Sequence, residues 1–123
     1  MKAALLALLL LPSVSAGAEA DCLASIMYAE AQGESVEGVI AVGQSALHRS
    51  QITHHAICGL TGVSTQVIPM LLKSGYTALA KSALASQSVV GKANSWERAL
   101  IPHRAGAITR RIGKHTFYVM AGL

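Results

Sequence analysis

Residues 22–49 read CLASIMYAEAQGESVEGVIAVGQSALHR, and this stretch decides the fold. Apolar residues recur at spacings of three and four on both sides of Gly33, a pattern typical of amphipathic helices. Gly33 predicts the end of the first helix, and Ser35 has a side chain suited to cap the second. The stretch therefore predicts two helices joined by a short turn, a helical hairpin.

The rest of the chain is more varied. Residues 51–69 contain a Gly-, Thr- and Ser-rich section that predicts a loop, and residues 76–90 return to helical spacing. Residues 91–106 are interrupted by Gly, Asn and Pro and predict irregular structure. The segment KHTFYVM, residues 114–120, is β-branched and aromatic and predicts a strand, with a partner strand within residues 107–112. We expect one small α+β domain, mainly α, with a short C-terminal β element.

The first 20 residues have the pattern of an export signal. Lys2 precedes an apolar run over residues 3–11, and the small residues at 16–18 fit a cleavage site. The run is shorter than the roughly 20 residues that span a bilayer, so a retained anchor is the weaker alternative. We expect a cleavable signal peptide over 1–20, a domain over 21–123, and export to the periplasm or cell envelope. Contact with the membrane would then be transient, through the signal alone.

The charge balance points to anionic partners. Ten Lys and Arg face six Asp and Glu, a net charge of +4, and loss of Lys2 and Glu19 with the signal would leave that value unchanged. A basic exported domain is attracted to cell-wall glycan, lipid headgroups or nucleic acid. Export and the lack of a basic run with interleaved aromatic residues argue against nucleic acid. We expect the protein to act as a monomer.

The two cysteines, Cys22 and Cys58, predict a disulfide in an oxidising compartment. Such a bridge would close a loop of roughly 35 residues and stabilise the fold by about 3 to 4 kcal/mol. The alternative is a cysteine nucleophile acting with one of the five histidines. His54 and His55 are adjacent, so their side chains diverge, and no ligand spacing typical of zinc occurs. We expect no metal and no cofactor.

Three of the six acidic residues, Glu30, Glu34 and Glu37, surround Gly33. Glu30 lies at the end of an apolar helix beside Tyr28, where desolvation would raise its pKa and keep it protonated, as a general acid requires. Glu34 and Glu37 lie at the start of the next helix, where the helix dipole favours the charged form. The alternative for all three is an ordinary role as caps or solvated surface.

Two blocks of sequence resemble the SleB-type cell-wall hydrolases, the spore-cortex-lytic family with a lysozyme-like domain. In the first block the matching residues are Tyr28, Glu30, Ala31, Gly33, Glu34, Glu37, Gly38, Ala41, Val42 and Arg49. In the second they are Asn94, Trp96, Pro102, Arg111, Ile112, Gly113, His115, Phe117 and Tyr118. The resemblance spans residues 22–119, with the two blocks in the family's order.

The resemblance implies that Glu30 is the catalytic acid of an enzyme that cleaves the glycan strands of peptidoglycan, most simply a lytic transglycosylase. A two-carboxylate hydrolase needs a second acid within about 5 to 9.5 Å. Only Glu34, Glu37 and Glu97 are candidates, whereas a transglycosylase needs one carboxyl. The scarcity of acids thus favours transglycosylase over muramidase.

Further residues are candidates for binding the glycan. Glu34 would position backbone N–H groups or a substrate hydroxyl, or act as a cap. Trp96 would stack on a sugar ring or pack in the core, and the hydroxyls of Tyr28 and Tyr118 would reach the cleft. His115 would hold a backbone or carboxylate partner behind the site.

A protein of another class is the competing hypothesis. The central segment lacks the Gln-Phe-Ser/Thr-Trp stretch that often follows the cysteine in the family, and that stretch is expected to line the cleft. A catalytically inactive cell-wall-binding or structural module with the same fold would account for this loss.

Overall fold

The computed structural model describes residues 16–98 and 107–123. Three helices lead the chain: α1 (Ala16–Ala31), α2 (Val36–Thr53) and α3 (Met70–Ala85), with a 3-10 turn at Ile57–Gly59 between the second and third. Three short strands follow: β1 (Ser95–Glu97), β2 (Ile108–Ile112) and β3 (His115–Tyr118). The predicted class, α+β and mainly α, is confirmed.

The helical hairpin forms as the sequence predicts. Gly33 adopts φ +81°, a left-handed conformation that glycine tolerates, and the chain reverses there between α1 and α2. The Ser35 hydroxyl accepts a hydrogen bond from the Gly38 N–H and caps α2. The hairpin therefore rests on local signals at its turn.

The three helices share one core, and a glycine allows their close approach. Leu23, Ile26 and Met27 of α1 are fully buried. A Cβ built on Gly43 of α2 would lie 2.8 Å from the Met27 sulfur and 3.1 Å from the Ala83 Cβ of α3. Gly43 thus sits where the three helices meet, and a side chain there would need space that the core does not have.

The strands form an antiparallel sheet in the order β1-β3-β2. In β3 all four residues are buried, and Phe117 belongs to the core shared with the helices. Trp96 of β1 pairs with Phe117, and Ile112 of β2 pairs with His115. The predicted pairing of residues 107–112 with the closing strand is confirmed, but β1 was predicted as irregular structure. Its three residues are too few to show an alternating pattern.

The third helix was predicted over residues 76–90 and is shifted in the structure. It begins at Met70, directly after Pro69, and ends at Ala85. The amide of Gln44 explains the early end, because it donates to the carbonyl of Gln87 (3.1 Å) and accepts from the N–H of Val89 (2.8 Å). These backbone groups bond to a buried side chain 43 and 45 residues away rather than continuing the helix.

The cysteines are joined as predicted, in a disulfide between Cys22 and Cys58 that connects α1 to the 3-10 turn. Residues 1–15 of the predicted signal peptide lie outside the described residues, as does Pro102. Residues 16–20 form the start of α1, and Ala20 is fully buried. Cleavage of the signal stays a prediction. Within residues 16–98 and 107–123, no helix has the length and apolar character needed to cross a bilayer.

Candidate functional site

Glu30 lies in the last turn of α1, half-buried, beside the loop that precedes α3. Its Oε2 accepts a hydrogen bond from the backbone N–H of Ser64 at 3.0 Å. Within the described ranges, Oε1 of Glu30 has no hydrogen-bond donor. The carboxyl is thus held through one of its two oxygens. The position of Glu30 at this helix end was predicted, but its contact with Ser64 was not. Every residue except proline has a backbone N–H, so the residue type at position 64 does not indicate this hydrogen bond.

Arg49 of α2 is the side chain that connects the segments around Glu30. Its Nε donates to the Asn94 carbonyl (3.0 Å) and its Nη2 to the Ser95 hydroxyl (3.3 Å). On the other side, Nη1 donates to the carbonyl of Gly62 (3.1 Å). The guanidinium carbon lies 5.0 Å from the centre of the Trp96 ring, within cation–π distance. One half-buried arginine therefore joins α2, the start of β1 and the loop near Glu30.

Burial of the Arg49 guanidinium lowers its pKa, and electrostatic interactions with Tyr118 and Glu30 act in the opposite direction. Glu30 therefore lies within the electrostatic field of this arginine. Arg49 matches a residue of the motif that resembles the SleB-type family, but no role at the site was predicted for it. The available signal was its position within the block that also carries Glu30.

The Glu34 side chain is largely covered, although Glu34 also borders a surface cavity beside α3. Its side chain is 5% exposed, and Oε1 accepts from the Lys114 N–H (3.0 Å) and faces His115 Nδ1 (3.2 Å). The Lys114 N–H is a backbone group positioned by Glu34, which is one of the predicted alternatives, and contact of Glu34 with a substrate hydroxyl stays a prediction. His115 faces a carboxylate, one of the two kinds of partner predicted for it.

The pKa of Glu34 reflects opposing effects. Burial alone would raise it, but the hydrogen bond from the Lys114 backbone, the hydrogen bond and charge of His115, and the charge of Arg98 hold it below its ordinary value. Gly113 comes close to the same carboxylate, since a Cβ there would lie 2.5 Å from Oε1. The turn between β2 and β3 is thus built around a buried carboxylate from the hairpin turn.

The three aromatic candidates are less exposed than a binding role suggests. Trp96 is 9% exposed and has the Arg49 guanidinium against its ring, so the structure favours its predicted alternative, core packing. Tyr118 is 2% exposed, and its hydroxyl donates to Glu97 Oε1 at 3.1 Å. Tyr28 is half-buried with its ring edge-on to Tyr76 at 5.2 Å. Direct contact of these rings with glycan stays a prediction.

The remaining acids of the hairpin and sheet are engaged elsewhere. Glu37 forms a salt bridge with Arg110 at 3.3 Å on the surface. Glu97 accepts from the Tyr118 hydroxyl on the sheet. In the part of the chain that the structure describes, no group of three or more His, Cys, Asp or Glu is arranged to hold a metal ion.

Comparison with known proteins adds no relative. No protein-family model matches the chain, no curated protein is similar to it, and no solved structure resembles it. The fold and the arrangement around Glu30 are therefore the observations from which a function can be argued.

Proposed function

We propose that the protein is an exported enzyme that cleaves the glycan strands of peptidoglycan, with Glu30 as its catalytic acid and base. The observation that carries the proposal is the setting of Glu30. It is a half-buried carboxyl with one oxygen held by the Ser64 N–H, and among the described residues no group donates a hydrogen bond to its other oxygen. The resemblance of the two sequence blocks to SleB-type hydrolases supplies the substrate class.

A lytic transglycosylase is the mechanism that the other carboxylates support. A two-carboxylate hydrolase needs a second acid with its oxygens available to water or sugar. Glu34 is buried against His115, Glu37 is paired with Arg110, and Glu97 accepts from Tyr118. These interactions make Glu34, Glu37 and Glu97 poorer nucleophiles or bases than Glu30. They therefore favour a mechanism that needs only one carboxyl group.

In that route the protonated Glu30 donates its proton to the glycosidic oxygen as the bond from that oxygen to the muramyl C1 breaks. The resulting Glu30 carboxylate then takes the proton of the muramyl 6-hydroxyl, and the 6-oxygen bonds to C1. Glu30 returns to its protonated form, and the products are a free sugar hydroxyl and a 1,6-anhydromuramyl end. Positioned acid–base catalysis of this kind contributes about 10²- to 10⁴-fold to a rate.

The test compares Glu30→Gln with Glu37→Gln on purified sacculi. Both substitutions replace a carboxylate by an amide of the same shape, but Glu37 lies in a surface salt bridge. We expect wild type and Glu37→Gln to clear the suspension at similar rates, and Glu30→Gln to be slower by at least about 10²-fold. Anhydromuramyl ends by mass spectrometry would support a transglycosylase, whereas reducing ends would show a muramidase.

The same sacculi test the inactive wall-binding module. If wild type sediments with sacculi and releases no soluble muropeptide at any pH, the enzyme proposal is wrong and the binding module takes its place. Equal rates of clearing by wild type and Glu30→Gln would also contradict the proposal, because another group would then supply the proton.

A further inference from the structure

The loop that holds Glu30 is itself held by Arg49. The Gly62 carbonyl accepts from Arg49, and two residues later the Ser64 N–H donates to Glu30. Two residues of extended chain span at most about 7 Å, so the position of this carbonyl restricts where the Ser64 N–H can point. Val63 between them packs partly buried against the core, which restricts the loop further.

Gly62 allows the loop to pass close to the guanidinium. Its φ is +72°, in the region that disfavours residues with a Cβ, and a Cβ built there would lie 3.2 Å from Arg49 Nη1. The conformation and the close approach both depend on the missing side chain. A residue larger than glycine would have to move the loop, the arginine or both.

The hydrogen bonds of Arg49 fix the loop relative to the sheet. Its described acceptors are the carbonyls of Thr61, Gly62 and Asn94 and the hydroxyl of Ser95. The first two belong to the loop and the last two to the start of β1. Arg49 can therefore act on Glu30 through the loop that carries the Ser64 N–H.

We propose that Arg49 is a positioning residue of the Glu30 site, which orients the Ser64 N–H towards Glu30 by holding the Gly62 carbonyl. The proposal rests on the proposed function for its catalytic consequence. Its structural part, the dependence of the Ser64–Glu30 hydrogen bond on Arg49, stands on the contacts alone.

The first test compares Arg49→Lys and Arg49→Gln. Lysine keeps the charge but lacks the planar fork that reaches the loop and β1 together, so turnover should fall about 10- to 100-fold. Glutamine is shorter and also loses the fork, so turnover should fall by at least as much. Wild-type turnover in a folded Arg49→Gln protein would contradict the positioning role.

A direct measurement accompanies the kinetics. The NMR shift of the Ser64 amide reports its hydrogen bond to Glu30 without any substrate, and Glu30→Ala gives the shift of the amide that has lost this partner. The Ser64 signal should move towards its Glu30→Ala position in Arg49→Lys and in Arg49→Gln. A purely structural Arg49 would lower thermal stability in both variants and leave the Ser64 signal of the folded protein in place.

Gly62→Ala keeps the proposal testable if the Arg49 variants do not fold. The added methyl group disturbs the loop at the guanidinium and leaves the contacts of Arg49 with β1 intact. Gly59→Ala is the matched control, since nothing lies within 4 Å of a Cβ there and its φ is not positive. We expect Gly62→Ala to lose turnover about 10-fold or more and to move the Ser64 amide signal towards its Glu30→Ala position, and Gly59→Ala to match wild type.

The two proposals fail differently. If wild type does not cleave glycan but the Ser64 amide signal still responds to Arg49→Gln and Gly62→Ala, the proposed function is wrong and the positioning role holds. If the Ser64 amide signal is the same in wild type and in every folded Arg49 and Gly62 variant, the positioning role is overturned, whatever the activity of the protein.

Discussion

The buried carboxylate of Glu34 makes a specific prediction about stability and pH. It is 5% exposed and connects the turn between α1 and α2 to the turn between β2 and β3 through Lys114 and His115. Hydrogen bonds to a charged group contribute about 1.5 to 3 kcal/mol each when buried. Replacing Glu34 with Ala leaves the Lys114 N–H and the His115 ring without their acceptor. We therefore expect a loss of about 3 to 5 kcal/mol in the free energy of unfolding at pH 7.

Glu34→Gln isolates the charge, because the amide oxygen still accepts from the Lys114 N–H. The folded pKa of Glu34 is lower than its ordinary value of 4.5, so its ionisation stabilises the folded state above that pH. That contribution is lost as the pH falls through the lower folded pKa. The difference in unfolding free energy between wild type and Glu34→Gln should therefore shrink as the pH falls from about 4.5 towards 3.

Urea unfolding followed by circular dichroism between pH 3 and 7 measures this difference. Effects of the other carboxylates occur in both proteins and cancel. Glu37→Gln is the control, since its exposed salt bridge with Arg110 should contribute at most about 1 kcal/mol and weaken in salt. A Glu34→Gln difference that does not change with pH, or that grows as the pH falls, would refute the electrostatic account of this site.

Two further predictions concern the core. Reducing the Cys22–Cys58 disulfide, or replacing both cysteines with serine, should lower the free energy of unfolding by about 3 to 4 kcal/mol; a change below about 1 kcal/mol in urea titrations would contradict this. Gly75 and Gly43 form a matched pair of helical glycines, with open space around the first and the Met27 sulfur 2.8 Å from a Cβ on the second. Gly75→Ala should therefore stabilise the protein by about 1 kcal/mol, whereas Gly43→Ala should give a net loss of up to about 2 kcal/mol. Equal stabilisation by both in thermal unfolding would show that the core has room at Gly43.

The candidate site was predictable in part. The position of Glu30 at a helix end followed from the apolar spacing before Gly33, and the partner of His115 was predicted as a carboxylate or backbone group. Arg49 and Ser64 were not predicted as site residues. Each contact involves a backbone group: the Gly62 carbonyl accepts from Arg49, and the Ser64 N–H donates to Glu30. Such contacts leave no pattern of residue types in the sequence.

The sequence by itself determined the helical hairpin, the last strand of the chain, which is the central strand of the sheet, and the pairing of the only two cysteines. In each case the signal is local or exclusive: the conformation allowed at Gly33, the cap at Ser35, and the absence of a third cysteine.

Only the tertiary structure decided where α3 ends, that Trp96 lies against a guanidinium, and that Glu34 faces inward. Each of these depends on groups more than 40 residues apart in the chain, such as Gln44 with Val89, Arg49 with Trp96 and Glu34 with His115. Helical and strand periodicity record which side of an element is apolar. Periodicity does not record which polar group of another element contacts a given side chain. At this site those contacts determine the electrostatics.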